Sequence, residues 1–139
     1  MKGLAALIRL HSWRLDEKRR ELADIQRLED QLLSDAQKLE QEVLREQEIA
    51  RTAEGGSFSF AGYMLGVKAR RHKIAASIAD VRKRIEEKRA EVAEAFQELK
   101  RYEITQAERL KRQQAEADRR TQTELDEMSL VQYERRADK

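Results

Sequence analysis

Proline and cysteine are both absent from the 139 residues, and glycine occurs only five times. Without proline, no position outside a glycine cluster is barred from a helix. Without cysteine, neither a disulfide framework nor a thiolate metal site can form. No apolar run approaches the roughly 18 residues of a membrane span, and residues 4–10 are too short and too interrupted for a signal peptide. The default expectation is therefore a soluble, intracellular, largely helical protein.

Aromatic residues are also scarce, at 5% of the chain, whereas charged residues make up 40%. This composition is poor for a globular core and typical of long coiled coils, in which only a narrow apolar seam leaves water. The 29 basic and 27 acidic residues nearly balance, so bulk charge gives little support for nucleic-acid binding. Abundant charge with low hydropathy is also a mark of disorder. Periodicity has to decide between a coiled coil and disorder.

A seven-residue repeat predicts a first helix over about residues 3–53. Its apolar positions alternate steps of four and three, which favours a left-handed coiled coil over a single amphipathic helix. The repeat runs through Leu4, Ile8, His11, Leu15, Lys18, Leu22, Ile25, Glu29, Leu32, Ala36, Leu39, Val43, Glu46, Ala50 and Ala53. It resumes through Phe60, Met64, Val67, Arg71, Ile74, Ile78, Val81, Ile85, Lys88, Val92, Ala95, Leu99 and Tyr102. The second stretch predicts a helix over about residues 61–136.

Four of the five glycines lie in residues 53–66, between the two periodic segments. Because glycine weakens helices and tolerates positive φ, this cluster predicts a turn over about residues 54–60. The predicted fold is all-α: a long antiparallel two-helix coiled-coil hairpin that forms a single domain over residues 1–139. Since the repeat fails after Tyr102, we expect the C-terminal helix to project beyond the first one from about Gln114.

Charged residues within the two seams predict how the helices align. One antiparallel register pairs Glu46 with Arg71 and Glu29 with Lys88, and it places Leu4 opposite Gln113. The same register layers Val43 on Ile74, Leu39 on Ile78, Leu32 on Ile85, and Ile25 on Val92. Partly exposed ion pairs contribute only about 0 to 1 kcal/mol, so we expect them to select the alignment more than to stabilise it.

The sequence predicts no enzyme, no cofactor and no metal site. His11 lies in the first seam and His72 beside a basic run, and neither lies near a nucleophile or a glycine-rich phosphate loop. No cluster of His, Asp or Glu has the spacing of metal ligands. The basic run over residues 68–84 lacks interleaved aromatic residues for base stacking, so a solvated helix face is favoured over a nucleic-acid interface.

Two apolar clusters leave alternatives open. The cluster near the turn is either a plug that seals the end of the coiled coil or a partner site; it comprises Phe58, Phe60, Tyr63, Met64 and Leu65. The cluster near the C-terminus is either a frayed amphipathic end or a docking surface; it comprises Leu125, Met128, Leu130, Val131 and Tyr133.

Three segments carry a resemblance to a known family. They are residues 15–22 (LDEKRREL), residues 60–65 (FAGYML) and residues 125–136 (LDEMSLVQYERR). The last of these segments comes shortly after residues 119–122 (RRTQ). In this order and spacing the chain resembles the flagellar export proteins called FliJ and the related stalk proteins of injectisome type III secretion. The resemblance covers nearly the whole chain. It implies an antiparallel coiled coil similar to the rotor stalk of rotary ATP synthases.

The resemblance also implies a function in flagellum biogenesis and motility. It implies a non-enzymatic stalk and chaperone component that couples the hexameric export ATPase to the export gate membrane protein and contacts export chaperones. Its expected location is cytoplasmic, peripheral at the cytoplasmic face of the inner membrane, without membrane insertion. The implied ATPase-binding residues are Trp13, Leu15, Leu125, Met128, Val131 and Tyr133, and the implied gate-binding residues are Phe60, Tyr63, Met64 and Val67. The alternatives are a generic coiled-coil scaffold and an injectisome stalk protein.

Overall fold

The computed structural model describes residues 2–138. Helix α1 spans Lys2–Thr52 and helix α2 spans Gly56–Ala137, and the described residues contain no strand. The two helices pack against each other in antiparallel directions, which confirms the predicted all-α, two-helix hairpin. Two compact units can be distinguished, Met1–Ser12 with Gln97–Lys139, and Trp13–Phe96. The single domain over residues 1–139 stays a prediction.

The connection between the helices is shorter than the predicted turn. Only residues 53–55 lie outside both helices, so α2 begins at Gly56 and not near residue 61. Gly55 has a φ of 71°, the left-handed conformation with which glycine commonly ends a helix. The Gly56 amide donates a hydrogen bond of 3.1 Å to the Ala53 carbonyl. One left-handed glycine is therefore enough to end α1, and the rest of the predicted turn is helical.

Gly56 is required for a different reason, because α2 starts close to the backbone of α1. A Cβ atom at this position would lie 2.4 Å from the Ala50 carbonyl oxygen and 2.9 Å from the Ala50 Cα. Backbone atoms cannot rotate out of the way, so any side chain here forces the two helices apart. At Gly62 and Gly66, by contrast, an added Cβ would meet nothing within 4 Å. Packing thus requires only the first of these three helical glycines.

The predicted seam is the packing face of both helices. In α1 every seam position from Leu4 to Ala50 is buried or half-buried, and Ala53 alone is exposed. In α2 every seam position from Phe60 to Tyr102 is buried or half-buried except Arg71. The deepest positions in the unit Trp13–Phe96 are Leu15, Leu39, Val43, Val67, Val81 and Ile85. The heptad repeat read from the sequence therefore identifies the core.

The predicted register, however, is wrong by about seven residues, which is one heptad repeat. The structure pairs Arg71 with Glu40 and Lys88 with Glu21, not with the predicted Glu46 and Glu29. The other pairs between the helices in this unit join Arg82 to Glu29, Arg70 to Glu42 and Lys18 to Glu91. The short turn explains the difference, because a helix that starts at residue 56 meets α1 earlier than one that starts near residue 61.

The apolar layers that were predicted from the same register are wrong for the same reason. Leu39 packs in one cluster with Val43 and Val67, where the register had placed Ile78 opposite Leu39. A shift by a whole heptad returns every seam position to the seam. The face that each helix buries is therefore correct, although the partner of each residue is not.

In the unit formed by Met1–Ser12 and Gln97–Lys139, an aromatic stack holds the first turns of α1 against α2. The buried ring of His11 stacks on Tyr102, with 4.7 Å between ring centroids. The His11 Nδ1 atom lies 3.4 Å from Oε2 of Glu98. Leu4 borders a groove with Tyr102 and Arg109, so its predicted place opposite Gln113 is wrong by the same heptad.

The rest of α2 in this unit has no covering helix. Every residue from 111 to 138 is exposed, although the helix continues to Ala137. The predicted projection of the C-terminal helix beyond the first helix is confirmed. About seven turns of helix are thus available for a partner.

Candidate functional site

The apolar cluster near the turn divides into an inner and an outer half. The inner side chains of Phe60, Tyr63 and Met64 pack against the buried cluster of Leu39, Val43 and Val67. The outer side chains are Phe58, which is 87% exposed, and Leu65, which is 74% exposed. The inner residues therefore seal the core, and the outer ones face solvent, where the partner site stays a prediction.

Three of the four residues that the resemblance assigned to the gate form this inner half, and the fourth, Val67, belongs to the buried cluster beneath it. Val67 is only 1% exposed and is the most deeply buried large side chain of the described residues. Burial, together with the carboxylates of Glu42 and Glu46, raises the pKa of the Tyr63 phenol. In this conformation the inner residues position α2, and Phe58 and Leu65 supply the accessible apolar surface.

The C-terminal apolar cluster lies entirely on the uncovered part of α2. Its four predicted ATPase-binding residues are between 46% and 73% exposed, namely Leu125, Met128, Val131 and Tyr133. The first three follow one another at three-residue steps, so they lie along one side of the helix. This arrangement suits a partner that accepts one face of an amphipathic helix.

The two N-terminal residues assigned to the ATPase differ in accessibility. Trp13 is 57% exposed, whereas Leu15 is only 4% exposed and belongs to the core of the unit Trp13–Phe96. A large exposed indole is a common anchor in protein interfaces. Trp13 is therefore accessible at the surface, while Leu15 packs in the core and fixes the helix that carries Trp13.

Charged side chains pair across the two helices near the end of the unit Trp13–Phe96 that is farthest from the turn. The Lys88 ammonium donates a hydrogen bond of 2.9 Å to Glu21 and lies 2.9 Å from Glu91. Hydrogen bonds to Glu91 and Glu21 raise the pKa of Lys88, and the bond from Lys88 lowers the pKa of Glu21. Both groups stay charged at neutral pH, so they act as an ion pair and not as an acid and a base.

Nothing in the described chain assembles a catalytic or metal centre. No group of three or more His, Asp or Glu side chains among residues 2–138 is arranged to hold a metal ion. His11 is occupied by its stack on Tyr102, and His72 is exposed on α2. Neither described helix contains a stretch that is long and apolar enough to cross a membrane.

Comparison with known proteins supplies the family. A family model described as the flagellar FliJ protein matches residues 1–138. This chain belongs to the FliJ family. FliJ is a flagellar export component, and nothing in the described part of this chain points to catalysis. No curated protein and no solved structure matches the chain.

Membership of the FliJ family confirms the resemblance seen in the sequence, but it assigns no individual residue. Phe58 and Leu65 are the accessible residues that the resemblance did not name for the gate. The heptad repeat indicates that these two residues are exposed, because both are apolar and both lie outside the seam. By the same signal, the seam members Phe60, Met64, Val67 and Leu15 belong to the core.

Proposed function

We propose that this FliJ-family chain is a non-enzymatic stalk that couples the hexameric export ATPase to the export gate of a flagellar secretion apparatus. The observation that carries the proposal is the fully exposed helix of residues 111–138 on a chain of this family. A bare helix with a row of apolar residues gains free energy when a partner covers it. The proposed location is the cytoplasmic face of the inner membrane, where export chaperones are further partners.

The ATPase side of the proposal rests on the C-terminal surface. Leu125, Met128 and Val131 form a continuous apolar row, and Tyr133 and Trp13 add large exposed rings. Such rings frequently act as anchors because they bury much area with few rotatable bonds. In this proposal Leu15 does not touch the ATPase and instead holds the helix in place.

The gate side of the proposal rests on the first turns of α2. Phe58 and Leu65 offer the accessible apolar area there. The position of α2 is set by its residues that pack against the core, namely Phe60, Tyr63, Met64 and Val67. We therefore assign contact with the gate to the outer pair and positioning to the four inner residues. Substitution of an inner residue would weaken gate binding only through a loss of stability.

The experiment that tests this function is a titration of the full chain into the cognate flagellar export ATPase, with ATP hydrolysis as the readout. We expect stimulation that saturates near one chain per hexamer. The triple variant Leu125→Ser, Met128→Ser and Val131→Ser should raise the half-saturating concentration at least tenfold, because three partly buried apolar contacts are lost. The matched control is Gln113→Ser with Gln122→Ser on the same exposed helix.

Two results would contradict the proposal. One is equal stimulation by the triple variant and the control, and the other is no stimulation and no co-elution with the ATPase. Light scattering tests the scaffold alternative, since a hairpin within one chain has a mass of 16.3 kDa and a scaffold dimer has twice that. Restored motility in a flagellar null strain separates the flagellar from the injectisome assignment.

A further inference from the structure

The stretch between Glu54 and Asp80 contains no acidic residue, although the chain has 27 of them. The same stretch carries four cations, Lys68, Arg70, Arg71 and Lys73. It also includes the first six turns of α2, where Phe58 and Leu65 are exposed. Such local asymmetry stands out in a chain whose charges otherwise nearly balance, and it marks this surface as a candidate for an anionic partner.

Part of this positive charge is already neutralised by α1. Arg70 pairs with Glu42 at 3.1 Å, and Arg71 pairs with Glu40 at 2.6 Å. Lys68, His72 and Lys73 are exposed, and none of them has an acidic partner within residues 2–138. The two lysines therefore remain available to an anion outside the chain.

The free charges and the exposed apolar residues share one face of α2. Phe58, Leu65 and His72 recur every seven residues and so lie on the same side of the helix. The positions between them on that side are small and exposed, and they are Ala61, Gly62 and Ala69. At 100° per residue, Lys68 lies on one flank of this face and Lys73 on the other. Protruding apolar side chains between lysines are typical of helices that lie in a membrane interface.

We propose that this face of α2, from Phe58 to Lys73, docks on the anionic lipid headgroups of a bilayer. Phe58 and Leu65 enter the boundary between headgroups and acyl chains, and Lys68 and Lys73 contact lipid phosphates. The two apolar side chains lie about 10 Å apart along the helix, and the small residues between them are Ala61 and Gly62. A fluid bilayer accepts such separate side chains without shape complementarity, and the lysines beside them add attraction to its anionic headgroups. The association is peripheral and requires neither the ATPase nor the gate.

The test is flotation of the full chain with vesicles of phosphatidylglycerol and phosphatidylcholine, compared with pure phosphatidylcholine. We expect binding to the anionic vesicles only, with steep weakening as salt rises. Lys68→Gln and Lys73→Gln should each weaken binding about fivefold, which corresponds to about 1 kcal/mol per lysine. Phe58→Ser with Leu65→Ser should weaken it at least tenfold.

Matched controls distinguish vesicle binding by this surface from binding that depends only on the overall charge or hydrophobicity of the chain. Arg119→Gln with Arg120→Gln removes two exposed cations elsewhere, and Leu44→Ser removes an exposed leucine of α1. Neither control should change vesicle binding, and circular dichroism should show unchanged helix content for all variants because every substituted residue is exposed. Stimulation of the ATPase by the Lys68→Gln with Lys73→Gln variant should stay normal, because neither lysine has a role in the stalk proposal, so failure of the lipid proposal is distinguishable from failure of the stalk proposal.

Three results would overturn the proposal. The first is no binding to the anionic vesicles. The second is binding that is equally strong in both controls and in the variants of the α2 face. The third is equally tight binding to soluble poly-glutamate that falls in parallel with vesicle binding across the variants, because it would assign the face to an acidic protein.

Discussion

The turn provides the sharpest test of the fold, because three glycines within eight residues are expected to respond differently to the same change to alanine. At Gly56 the new Cβ would lie 2.4 Å from the Ala50 carbonyl oxygen. Ordinary contact begins at about 3.4 Å, so the helices must separate by about 1 Å, and overpacking of this kind costs about 1 to 3 kcal/mol. At Gly55 the φ of 71° is unfavourable for an L-residue by about 1 to 2 kcal/mol.

The same substitution at Gly62 should have the opposite sign. A Cβ at this position meets nothing within 4 Å, and alanine in a helix interior is more stable than glycine by about 0.5 to 1 kcal/mol. Urea unfolding followed by circular dichroism measures all three variants against the natural chain. We expect Gly62→Ala to be more stable than the natural chain, and Gly55→Ala and Gly56→Ala to be less stable. An increase in stability for Gly56→Ala would refute the close approach of the helices at the turn.

Two further predictions concern alignment and pH. The ion pairs Arg82–Glu29 and Lys88–Glu21 flank Ile25 and Ile85 and place these two residues opposite each other, so cysteines substituted at both should form a disulfide. Cysteines at Leu32 and Ile85 should not form one, because the two positions are then offset by one heptad, which is about 10 Å along the helix. Hydrogen bonds from α2 lower the pKa values of Glu21 and Glu40 below 4.5, so the folded state binds fewer protons than the unfolded one. The two carboxylates should therefore stabilise the folded state fully at neutral pH and lose this effect as the pH falls below about 4.5. In thermal melts, the double variant Glu21→Gln with Glu40→Gln should show a smaller fall in melting temperature over this acidic range. A stable Leu32–Ile85 disulfide, or an unchanged acid slope, would contradict these two assignments.

The sequence predicts the buried faces because burial repeats along each helix with a fixed period. The register does not follow from that period, since a shift by one heptad leaves the same residues in the seam. Charge did not decide it either, because Lys88 finds a glutamate in both alignments, Glu29 in the predicted one and Glu21 in the observed one. The length of the turn decides the register, and it depends on a single residue, Gly55, in a left-handed conformation.

The candidate surfaces were only partly predictable. The C-terminal row was correctly located on the projecting helix, because the failure of the repeat after Tyr102 indicates where the partner helix ends. Near the turn, Phe60 and Val67 were assigned to a partner although their seam positions already indicate burial. Phe58 and Leu65 are accessible because they lie outside the seam. Composition carries no information on whether a protein binds either surface, and membership of the FliJ family links the chain as a whole, not these surfaces, to flagellar export.

The most direct test of the central claim is whether one chain bridges the two machines. The cognate export ATPase, the detergent-solubilised export gate and the full chain can be mixed and separated by size-exclusion chromatography. The stalk proposal predicts a ternary complex that forms only when the chain is present and that is lost with the Leu125, Met128 and Val131 triple variant. Co-elution of the ATPase with the gate in the absence of the chain, or two separate binary complexes in its presence, would contradict the proposal.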